Sequence, residues 1–125
     1  DQAPASNPNV DFVATINGAS EVPANASTAT GSATASFNKD TKILTLDMTY
    51  TGLTATNMHI HKGPVGVSGG VLYGIASAPF SSPVHYMSPA LTANQEDSLM
   101  NNLYYLNIHS AAFPGGEIRG QLLKK

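Results

Sequence analysis

In segment after segment of this chain, apolar residues recur at every second position and then stop at a glycine, a proline or an asparagine. A period of two sends alternate side chains to opposite faces of an extended strand, so the pattern buries one face of a sheet and no face of a helix. Phe12, Ala14 and Ile16 share one parity as far as the turn signal Asn17-Gly18. Ala29, Gly31, Ala33, Ala35 and Phe37 do the same within Ser27 to Phe37, and Asn38-Lys39-Asp40 then turns the chain. Leu44, Leu46 and Met48 alternate with Thr45, Asp47 and Thr49, which completes a hairpin closed by Gly52. Further strands are expected over 55–61, 71–75, 103–110 and 117–123. Pro79, Pro83 and Pro89 make the segment between them irregular, because proline lacks the donor a central strand needs. Thr92-Ala93-Asn94-Gln95 has capping-box spacing ahead of Leu99 and Met100 and predicts one short helix. Seven or so strands separated by turns predict an all-β fold: an antiparallel Greek-key sandwich or barrel with one short helix.

Composition removes several function classes. The 125 residues carry a formal net charge of −2 and no basic run, so the electrostatic footprint of a nucleic-acid binder is missing. The hydrophobic 42% never gathers into the roughly 20-residue run of a membrane span. With no cysteine, any metal must be held by histidine, methionine or oxygen. Asp1 to Asn9, rich in Pro, Ala, Ser and Asn, resembles the stretch after a cleaved signal peptide. We therefore expect an exported protein with a flexible segment at 1–9 and one domain over 10–125. Asn25-Ala26-Ser27 is a glycosylation sequon, but so short a tripeptide carries no weight.

The informative segment is Asn57-Met58-His59-Ile60-His61. On a strand both imidazoles point one way and Met58 and Ile60 point into the core. Leu106-Asn107-Ile108-His109 repeats the register, with His109 on the polar side. If the two strands are neighbours, three imidazoles converge without help from a loop, which is the rigid placement a metal site requires. Against this, a single histidine on a polar strand face is ordinarily just solvated, and His-x-His alone is a weak motif. What sets His59, His61 and His109 apart is that all three share a parity opposite to the apolar residues. Imidazole suits copper or zinc rather than calcium or magnesium, and the residues alone do not choose between copper and zinc.

His85 lies in the proline-bounded stretch, where register cannot be assumed: it is either a fourth ligand or a surface residue. Met87 is the one methionine to test as a ligand, the others reading as core filler. Arg119 is either an exposed strand charge, paired with Glu117, or a guide for small anions approaching a metal. Ser110 and His109 point apart on a strand and form no catalytic pair. No carboxylate pair and no phosphate-cradling loop occurs.

Three segments, His59-Ile60-His61-Lys62-Gly63-Pro64, Tyr104-Tyr105-Leu106-Asn107-Ile108-His109-Ser110 and Pro114-Gly115-Gly116-Glu117-Ile118-Arg119-Gly120-Gln121-Leu122, resemble the chordin-type (CHRD) domain family. Glu21-Val22-Pro23 resembles it too, and the match runs from Val10 nearly to the end. The family occurs in secreted proteins, which implies a periplasmic or secreted location. More distantly, the layout is similar to copper-zinc superoxide dismutase, a Greek-key barrel with a His-x-His strand, a later copper histidine and a late arginine. That resemblance implies His59, His61 and His109 as copper ligands, His85 as the intervening histidine and Arg119 as the guiding arginine. The chain departs from it in lacking the disulfide cysteines and the clustered zinc-site ligands, which leaves a copper-only site and favours copper over zinc.

Three functions follow as expectations. The first is an exported copper-binding protein for sequestration, delivery or electron transfer. The second is a copper-only superoxide dismutase-like enzyme. The third is a metal-free extracellular interaction module, with the histidines merely exposed.

Overall fold

A computed structural model describes residues 7–125. The expected flexible segment falls mostly outside this range, and Asn9 already begins the first strand. The strands are β1 (Asn9–Asn17), β2 (Thr30–Asn38), β3 (Leu44–Thr51), β4 (Ala55–Lys62), β5 (Val71–Gly74), β6 (Val84–Met87), β7 (Tyr104–Ser110), β8 (Ile118–Gln121) and β9 (Leu123–Lys124). One helix, α1 (Ala93–Met100), precedes β7.

All strand pairs are antiparallel, in the order β5-β4-β7-β8-β1-β2-β3-β6, with β9 also on β1. β3 and β4 are consecutive in the chain yet five steps apart in this ladder, joined only by residues 52–54. Five steps of a flat sheet span ~24 Å, whereas that link reaches only about 14 Å. The sheet therefore has to wrap, and it forms a curled half-barrel. Its free edges, β5 and β6, approach at Tyr73 and Tyr86, whose ring centroids are 6.3 Å apart.

The alternating residues supply the core: Phe12, Ile16, Phe37, Leu46, Met58, Ile60, Leu106 and Ile108 are fully buried inside the curl. The capping box forms as its spacing predicts. Thr92 Oγ1 accepts from Gln95 N at 3.2 Å, and Thr92 N donates to Gln95 Oε1 at 2.9 Å. Thr92→Ala should cost about 1 kcal/mol, the usual value of a lost N-cap, measured as a lower urea midpoint at unchanged m-value.

Two elements differ from the sequence expectation. The stretch expected to be irregular contains β6, an edge strand on β3 whose first residue directly follows Pro83, where a missing N–H costs no ladder bond. The last expected strand is divided: β8 serves β7 and β1, β9 serves β1, and between them Leu122 N donates to Tyr104 O at 3.0 Å.

Candidate metal centre

β4 and β7 are neighbours, with Asn57 opposite His109, His59 opposite Asn107 and His61 opposite Tyr105. Met58, Ile60, Leu106 and Ile108 fix that register, because a slip of one residue would send these four to the outside. The outward face then carries His59 and His61 along β4, with His109 diagonal to His59. One ligating atom of each lies within 4.8 Å of the others. The ring centroids are 5.1 Å apart for His59 and His109, 5.5 Å for His59 and His61, and 6.1 Å for His61 and His109.

Two of the rings are held by backbone carbonyls. His61 Nδ1 is 2.9 Å from Gly69 O, and His109 Nδ1 is 2.9 Å from Pro114 O. A carbonyl oxygen only accepts, so each Nδ1 carries the proton and each Nε2 keeps its lone pair. His59 Nδ1 lies 3.2 Å from His109 Nε2 and in the neutral cluster donates to it. His61 Nε2 is buried with no hydrogen-bond partner. A buried acceptor left unpaired costs about 1–3 kcal/mol, and a cation bound at Nε2 removes that deficit. Fixing a histidine tautomer through its remote nitrogen is the arrangement metal ligands use. The donor set therefore fits a metal that prefers imidazole nitrogen.

The other candidates lie elsewhere. His85 stands on β6, where its Nδ1 donates to Asp47 Oδ1 at 2.7 Å, with both side chains about three-fifths exposed. It is not part of the triad, and the exposed Met87 lies two residues along the same strand. Of the two sequence readings of Arg119, the exposed strand charge does not hold, because the residue is only 3% exposed. Its Nη2 donates to Pro64 O and Val67 O, both at 2.9 Å, and its guanidinium lies 3.5 Å from the centre of the Tyr105 ring. So buried and engaged, it has little surface with which to guide an anion. Nor does it pair with Glu117, whose carboxylate accepts from Ser27 Oγ and Ser110 Oγ. Asn25 of the sequon donates to Glu117 O at 3.0 Å.

Sequence reasoning overlooked Tyr105, which stacks on His61 with 8° between the rings and 5.0 Å between centroids. Its signal was available: it is an aromatic residue on the parity of Asn107 and His109. Glu21 was also overlooked as a neighbour of the site. It accepts from Asn107 Nδ2 where Gly116, at φ 126°, leaves room that a Cβ would fill.

Burial, followed by the charges of His109 and His61, lowers the pKa of His59. Burial also lowers that of His61, helped by His109 and Arg119 and opposed by the bond to Gly69. A lowered native pKa means the unfolded chain binds more protons, so stability rises with pH across this window. This contribution is complete above about pH 6.5, the ordinary imidazole value, and is lost as pH falls through the lower native values. Glu21, raised by burial, acts in the opposite sense. Urea unfolding with chelator present should show a lower midpoint at pH 5 than at pH 7.5. The gap should narrow when His59 and His61 are both replaced, which isolates their share from that of Glu21.

A curled antiparallel sheet with three imidazoles gathered on the outer face of adjoining strands defines a β domain with a candidate metal centre. The CHRD domain model matches residues 12–122, nearly the whole sheet, and the chain belongs to the CHRD domain family. CHRD domains occur in extracellular proteins. No curated protein matches the chain. Among the described residues no helix is long and apolar enough to cross a membrane.

Proposed function

We propose that this domain is an exported copper-binding protein of the periplasm or cell exterior. Its role would be copper sequestration, delivery or electron transfer, with His59, His61 and His109 as the ligands. The observation that carries this is the pairing of convergence with fixed tautomers: three ligating atoms within 4.8 Å, and two rings whose Nδ1–H groups are tied to carbonyls. Solvated histidines would have no reason to leave one Nε2 buried and unpaired. The ligand atoms would be Nε2 of His61 and of His109, and Nδ1 of His59 in place of its proton. Three neutral imidazoles favour Cu²⁺ over Zn²⁺ by the general order of divalent affinities, and copper when bound supplies one-electron chemistry. Burial lowers the His59 and His61 pKa values, so protons compete with the ion less than at free imidazoles.

Electron paramagnetic resonance of the protein loaded with one equivalent of Cu²⁺ tests this reading. Superhyperfine coupling to three imidazole nitrogens is expected, with Zn²⁺ unable to displace the copper at equal concentration. Coupling to one nitrogen only, or loss of the copper to a glycine buffer, would sink it.

A further inference from the structure

His61 is held through Gly69, and Gly69 belongs to the 63–70 connection between β4 and β5. Main-chain bonds tie the two ends of that loop, Gly63 N donating to Leu103 O at 2.7 Å and Lys62 N to Gly70 O at 3.0 Å, and side chains hold what lies between. Gly69 N donates to Tyr105 Oη at 2.9 Å, and Gln121 Nε2 donates to Gly63 O at 2.8 Å. Arg119 grips the middle of the loop, with one nitrogen shared between Pro64 O and Val67 O at 2.9 Å each. Its guanidinium also lies over the Tyr105 ring, which is stacked on His61. The sheet sets these groups side by side, since Arg119 is opposite Asn107 on β8, and Tyr105 is opposite both Gln121 and His61. The loop fits with little slack. A Cβ on Gly69 would lie 1.5 Å from Lys62 O.

We infer that Arg119 is a positioning residue for the candidate copper centre: it clamps the 63–70 loop and, with Tyr105, holds Gly69 O where it fixes the Nδ1–H tautomer of His61. The inference rests on the copper reading for its purpose but not for its geometry. One Arg119 nitrogen donates to both carbonyls while the guanidinium lies over the Tyr105 ring, and glutamine, shorter and uncharged, cannot combine the loop bonds with that cation–π contact. Loss of an outer partner of this kind typically weakens metal binding by about 10–100-fold.

The test uses wild type, Arg119→Gln and Tyr105→Phe, the last removing a single oxygen so that the fold survives if Arg119→Gln does not. In metal-free protein, long-range ¹H–¹⁵N correlation should show His61 wholly as the Nδ1–H tautomer in wild type and as a mixture in each folded variant. The Cu²⁺ dissociation constant should rise about 10–100-fold, with altered g values. A single Nδ1–H tautomer in the folded variants, with Kd within twofold of wild type, overturns the inference, as does a wild-type His61 protonated at Nε2. If wild type binds no copper but the tautomer still shifts, the copper reading fails and the clamp stands. If wild type gives its three-nitrogen spectrum and the variants match it, the clamp fails and the copper reading stands.

Discussion

Replacing His59 and His61 together with alanine is expected to weaken Cu²⁺ binding by more than about 100-fold, beyond what loss of an outer-shell partner usually costs, while leaving the half-barrel folded. Both side chains lie on the outer face, and the fully buried residues Met58 and Ile60 that anchor β4 are untouched. His61 gives up its stacking on Tyr105 and its bond to Gly69. It also gives up a buried Nε2 with no partner, whose removal works the other way. Because these losses and that gain oppose one another, the net change in metal-free stability should stay within about 1 kcal/mol, the central size of point-mutation effects. Chelator competition gives the affinity and urea unfolding in chelator gives the stability. A double variant that binds copper within threefold of wild type would show that the ion sits elsewhere, with His85 and Asp47 the next place to look.

The triad is legible in the sequence because strand parity depends only on local geometry. Once β4 and β7 are strands, Ile60 and Ile108 pointing inward oblige His59, His61 and His109 to point outward, and the neighbouring order of β4 and β7 brings them together. Several features of the site depended on loop conformation and tertiary contacts that alternation does not encode. Gly69 and Pro114 fix two tautomers through main-chain oxygens, which a sequence does not advertise by residue type. Both sequence readings of Arg119, an exposed charge or an anion guide, assume that the outer face of β8 meets solvent, yet the 63–70 loop covers Arg119 there. Asn107 and Glu117 are buried for similar reasons, the first held by Glu21 and the second by Ser27 and Ser110. β6 was hidden by its four-residue length and by the prolines around it, and with it the register that sends His85 to Asp47. The wrap of the sheet was legible only as a choice between sandwich and barrel; the ladder order and the short β3–β4 link decide it.

Ile60→Ala should do the reverse of the double histidine substitution. Ile60 sits between the two histidines but is fully buried, packed in the same core as Leu106 opposite it on β7. Truncating a buried isoleucine to alanine costs about 2–5 kcal/mol, the lost transfer free energy plus the cavity left behind. A rigid, curled sheet collapses poorly around such a hole, so the upper half of that range is expected. The rings of His61 and His109 stay tied to Gly69 and Pro114, so copper binding by the folded fraction should remain near wild type. Binding to the native state alone then returns stability by mass action, about 2.7 kcal/mol at a free copper concentration of 100 Kd. Urea unfolding with and without copper should therefore show Ile60→Ala destabilised and largely rescued by the ion, whereas the His59 and His61 double variant should be barely destabilised and gain no more than about 0.4 kcal/mol from it. Equal copper rescue in the two proteins would mean that stabilisation does not pass through these imidazoles, and an Ile60→Ala protein as stable as wild type would mean that β4 does not face the core in the register described.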